Sequence, residues 1–292
     1  MIISMGEILR RAKKEGYGVA APNVFNDKTI EAAFQVADEL RAPVILDGAG
    51  CHGIEEIGYI ARFYERKYPN VVAALNLDHG GPFEEVMLAI RNGFSSVMID
   101  RSTLPYDENV REVKEIVKIA HAVGVSVEAE LGHVGNGFEY EETRDSGLTK
   151  EGEALDFIKE TGIDCLAVAV GTSHGAYKGT PHLEFELLAR LHRSIELPLV
   201  LHGGSGTGDE NLKRAVETGI QKINLFTDLS AGGMTALKEY LGVDYDSIQK
   251  DSSLGEFGNK NVNLYDAIVE GTAGWKAALA YYVKLFGGVN RI

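Results

Sequence analysis

Ala74-Leu75-Asn76-Leu77-Asp78-His79-Gly80 closes an apolar run that begins at Val71-Val72-Ala73. Such a run, ending in an acid, an imidazole and a glycine, reads as a buried parallel strand that delivers polar side chains to one end of a sheet. Two later stretches have the same form. Residues 165–170 run into Gly171-Thr172-Ser173-His174-Gly175, and residues 197–201 run into His202-Gly203-Gly204-Ser205-Gly206. Three apolar strands thus each end in a histidine followed by glycine.

Outward from these, strands are expected at 19–21, 43–46, 95–99, 125–130 and 221–226. Helical periodicity separates them, at 5–15, 29–40 (capped by Asp27), 55–68, 83–91, 108–123, 151–161, 185–192, 211–218 and 228–240. A last helix is expected near 265–285, after a weakly patterned segment. Residues 133–150 have no clear period and are long for a connection, which suggests a functional lid or a disordered patch. Eight βα units with no composition break predict an α/β chain folded as a single-domain (β/α)8 TIM barrel over residues 1–292, with an extra C-terminal helical segment. A doubly wound open sheet is the alternative. In the barrel, the C-terminal ends of the strands share the catalytic face, which would gather Asp78, His79, Asp100, Glu130, His174, His202 and Asn224.

The 292 residues carry 29 basic and 43 acidic side chains, a formal charge of −14. An acidic surface argues against nucleic acid or an anionic membrane as partner. Two cysteines, Cys51 and Cys165, fit a reducing compartment without a disulfide framework. The first residues lack the pattern of a signal peptide, and no apolar run approaches a membrane span, so a cytoplasmic setting is expected.

Three neutral imidazoles with an open fourth position suit catalytic Zn²⁺, a Lewis acid for a carbonyl or enediolate oxygen. A regular strand would point Asp78 away from His79; a twist at the strand end, eased by Gly80, would bring Asp78 to the cleft rim as an acid/base. His52, His121, His133, His182 and His192 lack the strand-end context and read as surface or loop residues. The Gly203-Gly204-Ser205-Gly206 loop and the segment from Asn224 to Asp228 lie after strands seven and eight, where this fold usually holds phosphate, and Lys178 follows His174 closely.

The segments that carry this chemistry recur in order: Asn23-Val24-Phe25-Asn26, Leu77-Asp78-His79-Gly80, Ser96-Val97-Met98-Ile99-Asp100, Val127-Glu128-Ala129-Glu130-Leu131-Gly132, Gly171 through Gly179, Leu201-His202-Gly203-Gly204-Ser205-Gly206 and Lys222-Ile223-Asn224. Together they resemble the class II, zinc-dependent ketose-phosphate aldolases of the fructose-bisphosphate and tagatose-bisphosphate aldolase family, over about residues 17–228. The resemblance implies His79, His174 and His202 as zinc ligands. It implies Asp78 as the acid/base for the substrate C4 hydroxyl, and Asp100 and Glu130 as carboxylates able to hold metal in an alternative position. Gly175, Lys178, Gly203, Ser205, Asn224 and Thr227 match the site for the dihydroxyacetone phosphate half, and Asn23 is expected to bind substrate as well. Sodium or potassium near that phosphate is also implied. A loop glutamate, Glu139 or Glu142, would exchange the proton on the enediolate. The implied partners are a phosphorylated ketose and dihydroxyacetone phosphate, and the implied assembly is a homodimer or homotetramer. A metal-dependent hydrolase and a non-catalytic barrel binding protein are the rivals.

The departures from the family bear on substrate. Pro22 stands where Phe is usual, Ala49 where Ser or Thr is frequent, and Phe226 where Asp, Asn, Ala or His commonly faces the sugar. No arginine stands between Leu241 and Asn290, where a second phosphate would be gripped. The aldehyde-side phosphate site is therefore expected to be missing, or rebuilt around Arg101, Lys260 or Arg291.

Overall fold

The computed structural model describes residues 1–135, 145, 147–175, 177, 181–242 and 262–292. Strands and helices alternate along them. α1 (Met5–Glu15) leads into β1 (Val19–Pro22), α2 (Asp27–Leu40) and β2 (Val44–Ala49), then α3 (Ile54–Lys67), β3 (Ala73–Gly80), α4 (Phe83–Arg91) and β4 (Ser96–Ile99). α5 (Tyr106–Ala122), β5 (Ser126–Leu131), α6 (Glu151–Thr161), β6 (Cys165–Val168), α7 (Phe185–Ser194) and β7 (Leu199–Leu201) follow. α8 (Asp209–Thr218), β8 (Lys222–Leu225), α9 (Thr227–Leu241) and α10 (Leu264–Leu285) end the chain.

All strand pairs are parallel, in the order β1-β8-β7-β6-β5-β4-β3-β2. The two ends of that order meet just beyond β1, where Asn23 bridges Asp47 and the Val24 amide donates to the Asp47 carbonyl at 2.8 Å. The sheet is thus a nearly closed (β/α)8 barrel, and the open-sheet alternative is set aside.

The pleat sorts the side chains into two apolar layers. Leu46, Leu75, Leu77, Val97, Val127, Leu166, Leu199 and Ile223 face outward and pack with the helices. Val19, Ala21, Ile45, Ala74, Cys165, Ala167 and Val200 face inward, where Met5, Ile8, Leu9 and Ala12 of α1 join them. α1 is amphipathic, and its apolar stripe plugs the N-terminal mouth of the barrel. Further along β2, β3, β5 and β8, and just past β7, the inward face turns polar: Asp47, Asn76, Asp78, Glu128, Glu130, His202, Lys222 and Asn224 are all buried there. The apolar plug below and the polar tier above confine chemistry to the C-terminal end.

One expectation about local structure is corrected. The cap of α2 is Asn26, not Asp27. The Asn26 side chain accepts from the Thr29 amide at 2.9 Å, and Thr29 Oγ1 accepts from the Asn26 amide at 3.2 Å, a reciprocal capping box. Asp27 is instead the first helical residue. The extra C-terminal helix, α10, packs along α9 and α2. Among the described residues no helix is long and apolar enough to cross a membrane.

Candidate metal and acid–base site

β3 keeps its alternation as far as Asp78, which shares the inward face of Ala74 and Asn76. The residue that departs is His79. Its φ of 50° is left-handed, and the register against β4 shifts between Leu77 and Gly80. This corrects the sequence expectation: Asp78 enters the lumen by ordinary pleating, and the twist that brings acid and imidazole together is in His79 itself. Gly80 has no left-handed backbone; it is small because a Cβ there would overlap the Met98 carbonyl of β4.

The three histidines do meet, although only His79 and His202 are at strand ends; β6 stops at Val168 and His174 lies in the loop six residues beyond it. Ring centroids lie 4.5 Å apart for His79 and His202, 4.9 Å for His79 and His174, and 5.8 Å for His174 and His202. One ligand atom from each comes within 4.8 Å of the others, as does one from each of His79, Asp100 and Glu130. The hydrogen bonds show which atoms are free. His79 Nδ1 is 2.7 Å from Asp100 Oδ2, and His202 Nε2 is 2.8 Å from Glu128 Oε1. The opposite ring atoms, His79 Nε2 and His202 Nδ1, are buried without a hydrogen-bond partner among the described residues, and so is Glu130 Oε2. His202 Nδ1 lies 3.1 Å from Glu130 Oε2, close enough for attraction but in a geometry that makes no hydrogen bond. Imidazoles oriented by a carboxylate, with the other nitrogen unused and converging, fit a metal.

Protonation follows the same crowding. Burial and the neighbouring charges of His202 and His79 push His174 down to about 4. His202 is buried, which disfavours its charge, yet Glu128 and Glu130 push it up to about 10. Burial would raise Asp78, but His79, Lys222, His202 and the Asn23 amide outweigh it and hold the carboxyl well below its ordinary range. Asn23 Nδ2 donates to Asp78 Oδ2 at 2.8 Å and Asn224 Nδ2 to Oδ1 at 2.9 Å. Asp78 is therefore an ionised, clamped carboxylate beside the imidazoles.

Beneath these groups runs a chain of charges that the sequence reading did not assign. Asn76 Nδ2 donates to Asp47 Oδ1 at 2.8 Å, and Lys222 Nζ lies 3.2 Å from Asp47 Oδ2 and 2.9 Å from Glu128 Oε2. Burial disfavours the Lys222 charge, but Asp47, Glu128 and Asp78 raise its pKa regardless. The available signal was parity: Lys222 precedes Asn224 by two, and Glu128 precedes Glu130 by two, in otherwise apolar strands.

The loops after β6 and β7 form the opposite wall. Gly175 is left-handed there, and the Tyr177 hydroxyl lies 2.6 Å from the Ser173 amide and 3.1 Å from the Gly203 carbonyl, tying the loops together. Ser205 Oγ accepts from the amides of Phe226 and Asp228 at 3.2 Å each, beside Thr227 at the start of α9. Gly203 has φ of 65°, and a Cβ would overlap the Ser173 carbonyl. Gly203→Ala is expected to cost at least the roughly 1–2 kcal/mol of a left-handed L-residue, with the backbone overlap added. Thermal unfolding should show a midpoint several degrees lower; an unchanged midpoint would contradict the tight loop contact.

Asp100 is placed mainly as the partner of His79, with Ser102 donating to its other oxygen from N at 3.0 Å and Oγ at 2.8 Å. His133, expected as a loop residue, lines a cavity of about 230 Å³ with His79, Asp100 and His174. His52 is likewise no bystander: its ring lies 5.8 Å from Phe25 and 6.2 Å from Phe226. Arg101 is engaged by Glu112 and the Asp100 carbonyl. Arg291 lies beside Glu15 and Tyr17, ahead of β1 and so at the opposite end of the barrel, which removes it as a grip for a second phosphate. Glu139, Glu142, Lys178 and Lys260 lie outside the described residues.

The sequence model of the family described as "Fructose-bisphosphate aldolase class-II" matches residues 3–291. The chain belongs to this family. It is 41% identical to a fructose-bisphosphate aldolase of Thermus caldophilus, over 83% of this chain and 88% of that protein. It is 39% identical to a probable fructose-bisphosphate aldolase of Bacillus subtilis (strain 168), over 87% and 91%. Among solved structures, the YdjI aldolase from Escherichia coli K12 superposes with a TM-score of 0.84 at 30% identity, covering 99% of this chain and 98% of that one. The protein is therefore an aldolase, a carbon–carbon lyase of a metal-dependent class, and the family implies phosphorylated sugar substrates. The hydrolase and binding-protein rivals fall away.

Proposed function

We propose that this aldolase is zinc-dependent and reversibly cleaves a ketose 1-phosphate to dihydroxyacetone phosphate and an aldehyde, without requiring a second phosphate. The observation that carries the chemistry is the convergence of three imidazoles, two with an unpartnered buried nitrogen, beside the clamped Asp78 carboxylate. His79, His174 and His202 would hold the metal, with Asp100 and Glu130 available to the same space. Bound Zn²⁺ supplies Lewis-acid stabilisation of negative charge on the substrate oxygens. Asp78 accepts the C4 hydroxyl proton as that oxygen becomes the aldehyde carbonyl and the C3–C4 electron pair stays on C3. Asn23 and Asn224 keep both Asp78 oxygens oriented during the transfer. A proton returns to C3 from Glu139 or Glu142, which follow the cavity wall of His133 to Gly135 in sequence. Gly175, Lys178, Gly203, Ser205 and Thr227 are assigned to the phosphate of the dihydroxyacetone half.

The substrate reading rests on the aldehyde side. Phe226 stands where the family commonly carries Asp, Asn, Ala or His, Arg101 is already engaged by Glu112, and Arg291 is remote. The test is cleavage of fructose 1,6-bisphosphate beside a panel of ketose 1-phosphates, scored by release of dihydroxyacetone phosphate. The expected result is kcat/KM for the best ketose 1-phosphate at least equal to that for the bisphosphate. A strong preference for the bisphosphate would overturn the substrate assignment and leave the aldol chemistry standing.

A further inference from the structure

We propose that Glu128 and Lys222 are positioning residues for His202: Lys222 fixes Glu128, and Glu128 holds the His202 ring so that Nδ1 is the nitrogen presented to a metal. This rests on the reading of His202 as a metal ligand. Glu128 Oε1 is 2.8 Å from His202 Nε2, and Lys222 Nζ donates to Glu128 Oε2 at 2.9 Å. The far side of Lys222 faces Asp47 Oδ2 at 3.2 Å, and Asp47 is itself held by Asn76 at 2.8 Å. Five strands are linked this way across the lumen, β3 and β2 through β8 to β5 and β7.

Stability alone is a poor reason for such a chain. The side chains of Asp47, Glu128, His202 and Lys222 are fully enclosed, and removing so many charges from water is costly; apolar residues of like volume often hold a core as well or better. The arrangement is accounted for by where it ends. A neutral imidazole has one N–H and one lone pair, and whichever nitrogen donates to a carboxylate leaves the other free to ligate. With Nε2 donating to Glu128, the free atom is Nδ1, which is buried without a hydrogen-bond partner among the described residues, on a residue that groups with His79 and His174. Lys222 makes the carboxylate tenable by compensating its charge and leaves Glu128 one orientation.

Glu128→Gln discriminates sharply because it keeps the shape. If the amide oxygen faces His202, its NH₂ opposes the Lys222 ammonium, donor against donor. If the oxygen turns to Lys222, the NH₂ faces Nε2, and the ring proton must sit on Nδ1, the metal-facing atom. The first arrangement loses the Lys222 clamp that holds the ring, and the second puts the proton on the metal-facing nitrogen. Zinc affinity, measured by competition with a chromophoric chelator, is expected to fall about 10–100-fold, the usual range for such outer partners. At saturating Co²⁺ the visible spectrum of E128Q should also differ from wild type. Lys222→Met should shift both in the same direction. If K222M fails to fold, ¹⁵N-resolved NMR of the wild-type zinc protein decides without a variant, with the His202 ring expected to be protonated at Nε2 and metal-bound at Nδ1.

Wild-type affinity and spectrum in E128Q, with affinity lost in His202→Ala, would overturn the inference and leave the metal site intact. A lower unfolding midpoint in E128Q with unchanged zinc affinity and cobalt spectrum would make the role structural and overturn it equally. Metal bound at Nε2 in the wild type would do the same. If His202→Ala binds zinc as tightly as wild type, the metal assignment itself fails.

Discussion

On the proposed assignment, Asp78→Ala is expected to slow carbon–carbon cleavage by about 10²–10⁴-fold, the range of a positioned acid/base, with bound zinc retained. The geometry separates these two effects. The Asp78 oxygens are taken by Asn23 at 2.8 Å and Asn224 at 2.9 Å, and His79 Nε2 is 3.9 Å away. The carboxylate thus influences the imidazoles by charge and contributes no hydrogen bond to them. It is ionised because the surrounding cations and amides outweigh its burial. Truncation leaves two asparagine amides without their acceptor, at roughly 1–3 kcal/mol for such buried groups, so Asp78→Asn is the necessary companion. It preserves volume and one amide acceptor, while removing the carboxylate charge and the capacity to accept a proton in this place. Both variants should lose kcat far more than they raise KM, with metal content by elemental analysis at the wild-type level. Zinc lost in step with activity would show that Asp78 builds the site instead of moving the proton.

The barrel was legible because its code is coarse. Apolar strands flanked by helical periodicity need only burial on both faces, and that survives errors of one or two residues at each boundary. β2 shows the limit. Residues 43–46 were apolar enough to mark it, but the strand continues through Asp47-Gly48-Ala49, which read as loop. Asp47 belongs to the strand because its charge is answered by Lys222, which comes from β8, 175 positions later in the chain. Local composition cannot report a partner so distant. The same limit explains the cap of α2: Asp27 and Asn26 are both good caps, and only the backbone decides that Asn26 is the extended residue.

The site was legible at its rim and opaque below it. Histidine before glycine after an apolar run marked all three converging rings, because the polar break in such a run is visible locally. The direction of each side chain was not. A period of two predicts that Asp78 and His79 diverge, and only the left-handed φ of His79 overrides it. Non-glycine residues in that region are uncommon and are held there by their surroundings; here Asp100 grips Nδ1 and β4 lies against Gly80. Glu128 and Lys222 were overlooked for the opposite reason. Each occupies an ordinary pleat position, and their meaning lies entirely in contacts across the lumen. His133 and His52 were discounted for lacking a strand, yet loops at this face bring them to the cavity wall and beside Phe226 respectively.

If His79 is a metal ligand as proposed, His79→Ala is expected to lose both metal binding and cleavage without unfolding the protein. His79 sits at the rim, with its side chain 30% exposed, so its truncation opens no cavity in the core. What is lost is the ring of β3 that groups with His174 and His202, with its unpartnered Nε2. A three-ligand site reduced to two imidazoles should hold zinc well below stoichiometry at micromolar protein. Asp100 loses its imidazole partner at the same time, but it is only partly buried and retains both Ser102 donors, so solvent and Ser102 can satisfy it. The backbone gains little relief, since alanine dislikes the left-handed region as histidine does, and the unfolding midpoint should move by no more than a few degrees. The contrast with Asp78→Ala makes the assignment specific: one variant is metal-replete and slow, the other metal-poor and inactive. Chelator-stripped wild type supplies the control, because it should recover activity on adding Zn²⁺ whereas His79→Ala should not. A His79→Ala protein that binds one zinc with wild-type affinity would place the metal elsewhere, and the three imidazoles would then need another role.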